Sequence, residues 1–473
     1  MEFIMTLRKV LLSLFCVASF TATQAFADVT QQDGSRYDEL LNENDFDALR
    51  AFVQSKRDID LKKKADDLKI GGDVRTEWRH MNESGRKGGF VGRQEQLRGG
   101  HAINYGAYPV SRNDFDIEFN FYVSYKTECT WAVAQIQYDE SAGVFDNNKA
   151  CPSQKAGSAQ DIISELANGD NTPDPEGWHG TGRCNNLCLK KAYMGYCLFS
   201  CDEQKVDLEI GRRRLSHVFD SNIQFLSQFD GILVKYSNRY ESLGDFYMYT
   251  SGFVVNERIN HFAWVVEMGL LNICDSGFDV KYSFVDWRKN GRSQCFDTNG
   301  AWFHNPRGFK FLNSQVTLIY NLNEDYFCKP AKVYGAFLIN HNQSSVRYPI
   351  LVNKTLVPAT LHNANYGWYI GFKVGSVFKE GDWSFEAQYQ HVEPVAVPDG
   401  DSSGIGRGNI LDESFTSIRR GNTNFKGFKF EFLYALTDHL TLNNIVEWTK
   451  AARPECGGQH KYSKVEVEAI YAF

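Results

Sequence analysis

From Phe115 to Lys126 this chain alternates without a break. Phe115, Ile117, Phe119, Phe121, Val123 and Tyr125 fall on one side, and Asp116, Glu118, Asn120, Tyr122, Ser124 and Lys126 on the other. Period two is the side-chain period of an extended strand. One side is apolar and aromatic over its whole length and the other is polar, so such a strand wants an oily medium on one face and water on the other. A water-soluble sandwich could produce the pattern once. Here it recurs.

An earlier segment, Leu68 to His80, puts Leu68, Ile70, Val74 and Trp78 on one face and Lys69, Asp73, Arg75, Glu77 and Arg79 on the other. Similar segments follow near 130–139, 189–199, 204–213, 226–237, 243–253, 261–271, 277–288, 310–321, 331–340, 364–375, 381–392, 424–435, 438–449 and 461–473. The connections between them alternate between short and long. Short turns fall near Thr127–Cys129, Ser200–Glu203, Arg239–Ser242, Asn272–Asp275, Leu322–Pro330, Val377–Glu380 and Leu436–Asp438. Long connections fall near 81–114, 140–188, 214–225, 254–260, 289–309, 341–363, 393–423 and 450–460. Short turns at one end, long loops at the other and an even strand number are the pattern of a membrane barrel. The expected fold is therefore all-β: a transmembrane antiparallel β-barrel of about 16 strands over residues 68–473.

The N-terminus reads as an export leader. Arg8 and Lys9 are its charged part, Val10 to Phe20 its apolar part, and Ala25-Phe26-Ala27 a small-x-small cleavage site, so residues 1–27 are expected to leave a mature chain beginning at Asp28. Beyond it no stretch has the ~20 consecutive apolar residues a spanning helix needs. Residues 28–67 change period: Asn44 is a fitting N-cap, and Phe46, Leu49 and Val53 recur at helical spacing before Lys62-Lys63-Lys64. That segment is a short helical extension serving as a periplasmic arm, a trimer-forming segment or a lumen plug, or else a solvated tail.

Of eleven cysteines, only Cys16 lies in the leader. So many outside it fit an oxidising compartment. Cys129, Cys201, Cys274 and Cys328 fall in or beside the short turns, and Cys184 and Cys188 before a strand on the other side, with Cys151, Cys295 and Cys456. All are disulfide candidates, within the chain or to neighbouring envelope proteins. The spacing of Cys184, Cys188, Cys197 and Cys201 does not suit a metal knuckle, because a strand separates the two pairs. No metal or cofactor is expected. Net charge is −7 with no basic domain, which argues against nucleic acid. No H-E-x-x-H, G-x-S-x-G or P-loop is present, so no enzyme is expected. Gly404-Ile405-Gly406-Arg407-Gly408 lies in a long polar connection and reads as a flexible loop.

Three stretches carry a resemblance: Leu68-Lys69-Ile70-Gly71-Gly72-Asp73-Val74-Arg75, Leu208 to Arg214 leading to Phe229-Asp230-Gly231, and the terminal Tyr471-Ala472-Phe473. With them the chain resembles bacterial outer-membrane porins, particularly the cysteine-containing porin-like proteins of the chlamydial type, over about residues 68–473. The resemblance implies a passive diffusion channel in the lipid of the outer membrane, often trimeric. It implies that Phe473 addresses the barrel assembly machinery. It also implies that the loop after the fifth strand, Leu215 to Phe225 with His217 and Asp220, folds inward.

The polar faces then nominate pore-lining residues: Asp73, Arg75, Glu77, Arg79, Asp116, Glu118 and Arg213, with His217 and Asp220 on the loop. Rings of such charges set pore selectivity. Weak selectivity towards anions or neutral solutes such as sugars is expected. The alternative is that the arginines pair with Asp73, Glu77 and Glu209 and only brace the wall.

Overall fold

The computed structural model describes residues 68–85, 110–141, 186–201, 203–226, 228–256, 261–289, 311–322, 329–352, 355–398, 401–405, 408–411, 418–421, 423–457 and 460–473. For some of these, Asp116, Cys188 and Cys456 among them, only the backbone is described. The expected leader and helix, with Cys151, Cys184, Cys295 and Cys328, lie outside the described residues.

The strands are β1 (Leu68–Gly85), β2 (Val110–Lys126), β3 (Thr130–Ser141), β4 (Asn186–Cys201) and β5 (Gln204–Arg214). Next come β6 (Gln228–Tyr240), β7 (Gly244–Asn256), β8 (His261–Leu271), β9 (Phe278–Lys289), β10 (Leu312–Leu322) and β11 (Ala331–Asn340). After a hairpin of β12 (Ser345–Val352) and β13 (Thr355–His362) follow β14 (Tyr366–Gly375) and β15 (Trp383–Val392). A second hairpin, β16 (Gly408–Leu411) and β17 (Ile418–Gly421), precedes β18 (Phe425–Ala435), β19 (Leu440–Ala451) and β20 (His460–Ala472).

Sixteen of these strands form one closed barrel, in chain order, and the two hairpins stand as separate two-stranded sheets. Every neighbouring pair in the ring is antiparallel, and β20 closes on β1 from Asp73↔Ala472 to Gly85↔His460. The all-β barrel read from the alternation is the fold observed. Closure satisfies every strand edge, which an apolar medium requires.

The alternation sorts side chains between two environments. On β20, Tyr462, Lys464, Glu466, Glu468 and Ile470 are buried and face inward, while Val465, Val467 and Tyr471 face out. Around the outside, Met194, Ile210, Ile232, Trp264, Leu318, Phe337 and Ile370 are all exposed. Aromatic residues mark both ends of this band: Tyr125, Tyr196, Tyr240, Tyr320 and Tyr434 by the short turns, Trp78, Phe115 and Trp448 towards the long connections. In water so wide an apolar surface would aggregate; in a bilayer it is the required surface. No helix among the described residues is long and apolar enough to cross a membrane.

The structure extends the sequence reading in two places. First, β1 continues past His80 and β2 starts before Phe115, with Met81↔Arg112 and Glu83↔Val110 still paired. Beyond the lipid no apolar face is imposed, so the ladder runs on without the pattern. Second, two long connections contain hairpins. In one, Pro349 stands opposite Pro358; a free two-stranded ribbon tolerates proline at its open edges, but the residue itself reads as a loop signal.

The seam is fitted to the chain end. Gly72 N–H donates to Phe473 O at 3.0 Å and Phe473 N–H to Gly72 O at 2.9 Å. The Phe473 ring lies over Gly72 and stacks on Phe119 at 6.2 Å between centroids. A Cβ at Gly72 would stand 2.6 Å from Phe473 Cζ and 2.8 Å from Asn120 O, so only glycine fits there.

Candidate functional site: the lumen and its inward loops

The connection after β5 turns into the bore. It opens with a single helical turn, Leu215–His217. Leu215, Phe219, Ile223 and Phe225 are then fully buried. Phe219 and Phe225 lie 5.4 Å apart. The matching inner wall is apolar at this height: Phe229 and Leu233 on β6, Phe253 on β7, Ala263 and Val265 on β8, Val285 and Trp287 on β9, all buried. Phe253 packs against Phe229 at 5.4 Å and edge-on against Trp287 at 6.0 Å. A small dry core thus sits inside the barrel, and dry contact of this kind is what holds a loop against a wall.

The loop's polar edge is tied to inward side chains. Asp220 N–H donates to Glu267 Oε2 at 3.0 Å, and Lys281 Nζ reaches Asp220 Oδ2 at 2.8 Å. Gln315 Nε2 donates to Asp220 O at 2.8 Å and Ser221 Oγ to Gln315 Oε1 at 2.7 Å. Gln390 Nε2 donates to Asn222 O at 3.2 Å. These partners lie on β8, β9, β10 and β15, so the segment from 220 to 224 runs across one side of the bore.

The residues nominated from sequence fall into two groups. Asp73, Arg75 and Glu118 meet on the wall: Arg75 Nε lies 2.7 Å from Asp73 Oδ1 and 3.8 Å from Glu118 Oε1, and its Nη1 lies 3.3 Å from Glu468 Oε1. Arg79 Nε pairs with Glu77 Oε1 at 2.8 Å. Arg213 pairs with Glu209, which also takes Lys235 Nζ at 3.1 Å, and stacks over the Tyr193 ring at 4.2 Å. Asp220 forms the second group with Lys281 and Glu267, while His217 ends the helical turn before it. The pairs of Arg75 and Arg79 lie on β1, β2 and β20, away from the strands that hold Asp220. The Asp116 backbone pairs with Glu77 across β1 and β2. Arg212, by contrast, points outward and makes a two-pronged pair with Asp230 at 2.7 and 2.6 Å.

The inner wall from β15 round to β2 is rich in carboxylates. Glu386, Glu431, Glu447, Glu466, Glu468, Glu77, Asp73 and Glu118 face inward there, against Lys429, Lys464, Arg75 and Arg79. Between them lie Asn120, Gln388 and Asn443, with Gln135 beside them on β3, all buried. Asn120 donates to Asp73 at 3.0 Å, and Gln135 donates to Asn120 Oδ1 at 2.9 Å. The surface is hydrogen-bonding, and its named carboxylates outnumber its named cations two to one.

Lys281, Glu267, Gln315 and Gln390 were not nominated from sequence. Their signal is polarity on the inward face of an alternating strand, which dozens of positions share. The dry core had a sharper one. Phe262 to Val266 and Phe284, Val285 and Trp287 are apolar on both faces of their strands, which a plain polar lumen would not produce.

Among the described residues, Cys129, Cys197, Cys201 and Cys274 carry free thiols. Cys129, Cys201 and Cys274 are exposed at the short-turn end, and Cys197 N–H donates to Cys129 O at 2.8 Å. No group of His, Cys, Asp or Glu among the described residues is arranged to hold a metal ion.

No family model and no curated protein matches this sequence. Solved structures are similar in fold. OmpF of Salmonella typhi in complex with daunomycin is 11% identical, with a TM-score of 0.43 over 86% of this chain and 97% of that one. OprB of Pseudomonas putida at high pH is 11% identical, with a TM-score of 0.45 over 85% and 94%. A triple mutant of the Rhodopseudomonas blastica porin is 9% identical, with a TM-score of 0.36 over 86% and 100%. The closed ring, its apolar exterior and its polar bore carry the reading.

Proposed function

We propose that this chain is an outer-membrane porin, a passive diffusion channel for small hydrophilic solutes, both ions and sugars. One observation carries the proposal: a polar bore inside an apolar cylinder, narrowed by a loop pinned across it. A structural strut has no need of such a loop. The leader and Phe473 support export through the assembly machinery into outer-membrane lipid, with a mature start at Asp28. Trimer formation and the chlamydial-type affinity rest on the resemblance.

Selectivity is weak in this reading, because screening limits each charge to about 8–10 Å and most lumen charges already have partners. Arg75 is the cation that faces Asp73, Glu118 and Glu468 on its wall. Reconstitution in planar bilayers under a salt gradient tests both points. Open channels are expected, and Arg75→Ala, which leaves Asp73, Glu118 and Glu468 without their cation, should move the reversal potential towards cations. A correctly closed barrel that never conducts would refute the channel.

A second reading, a plugged structural or adhesive barrel cross-linked by disulfides, has one observation in its favour. Met81, Tyr462, Phe425, Ile405, Ile223 and Ile319 join one buried apolar cluster. Silence in the bilayer experiment is the result that reading expects.

A further inference from the structure

The connection after β15 also turns inward, and it grips the loop after β5. Val395, Ala396, Val397 and Asp401 are buried to 1% exposure or less. Phe225 N–H donates to Asp401 Oδ2 at 3.0 Å, and Leu226 N–H to Asp401 O at 3.3 Å. Ser403 N–H donates to Ile223 O at 3.4 Å and its Oγ to Gln224 O at 2.6 Å. Gln390 on the wall joins both loops: its Nε2 holds Asn222 O, while its Oε1 accepts from Ile405 N–H at 2.9 Å.

Two features mark this as a built contact. Phe225 has φ of +73°, the left-handed region that a bulky side chain occupies only when its surroundings hold it there. The holding group is the buried Asp401 carboxylate on its amide. Gly404, from the glycine-rich stretch, passes so close to Gln390 that a Cβ would stand 2.3 Å from Gln390 Oε1. That glycine therefore serves close approach to the wall. The outer end of the second loop is anchored as well. Arg453 Nε meets Glu393 Oε2 at 2.7 Å and Oε1 at 3.0 Å, and these bonds raise the arginine above its ordinary value. Thr423 Oγ donates to Pro394 O at 2.9 Å.

We propose that the constriction is made by two loops, and that Asp401 and Ser403 are positioning residues that fix the loop after β5 at its working height. This rests on the channel reading. A buried carboxylate bonded to a strained amide is a specific lock: removing it frees the Phe225 amide and lets the backbone leave the left-handed region, whereas asparagine keeps an acceptor oxygen.

The test compares wild type, Asp401→Ala, Ser403→Ala and Asp401→Asn, each first checked for barrel closure by unheated gel mobility. Hydrogen exchange at the Phe225 amide should speed about tenfold or more in Asp401→Ala, the size expected for one lost charge-assisted hydrogen bond, and by clearly less in Asp401→Asn, which keeps an acceptor oxygen without the charge. Single-channel records of Asp401→Ala and Ser403→Ala should show larger, noisier conductance and admit larger neutral polymers. Unchanged exchange, noise and size limit in closed Asp401→Ala barrels would overturn the two-loop constriction. A silent wild type would instead overturn the channel reading, and the exchange result would still decide the lock.

Discussion

Barrel closure offers the most quantitative check. Replacing Gly72 by alanine puts a methyl group 2.6 Å from Phe473 Cζ, 2.9 Å from Phe473 Cε2 and 2.8 Å from Asn120 O. The ring can swing away; the Asn120 carbonyl belongs to the β2 backbone and cannot move without its ladder. Overpacking of this kind costs about 1–3 kcal/mol. Displacing the ring from Phe119 adds roughly 0.5–1.5 kcal/mol. The total, about 1.5–4.5 kcal/mol, should appear in urea unfolding from lipid vesicles, read by tryptophan fluorescence and by the unheated gel shift. Phe473→Ala relieves only the ring part of the clash, so the pair Gly72→Ala and Phe473→Ala should cost about 0.5–1.5 kcal/mol less than the two singles added together. A Gly72→Ala change below about 0.5 kcal/mol, or strictly additive singles, would show that the seam tolerates a side chain and that this close approach does not matter.

Further expectations follow from the same geometry. Arg212→Ala leaves Asp230 facing lipid alone and should destabilise the barrel more than Arg212→Ala with Asp230→Ala, measured by the same unfolding assay; equal losses would mean the pair is solvated. Exposed Cys129, Cys201 and Cys274 should give high-mass species on non-reducing gels of intact envelopes that collapse on reduction, whereas monomer bands in both lanes would exclude bridges to neighbours. Mass spectrometry of the membrane fraction should find a mature chain starting at Asp28, and an intact residue 1 in a soluble fraction would end the export reading.

The strands were legible because lipid and water impose opposite demands on successive residues, so β2 or β20 can be read letter by letter. The charge pairs were half legible. Asp73 and Glu77 share a face with Arg75 and Arg79 at spacing two, but Glu468 reaches Arg75 only through closure of the ring, which no local pattern carries. The hairpins went unread because prolines at 349 and 358 mask one, and the other has four-residue strands. The loop lock was the least legible. Asp401 and Ser403 are ordinary loop residues by composition, and only the fold brings them to Phe225, across more than a third of the chain.

The dry core inside the bore has a consequence for how the molecule is made. Leu215 to Phe225 can shed water only against walls supplied by β6 to β10 and β15, so the segment has nowhere to settle until those strands stand side by side. A growing ring is therefore wide before it is narrow. The aperture is set last, by a piece of chain that behaves like the interior of a small soluble protein, folded within a cylinder whose outside has already committed to oil.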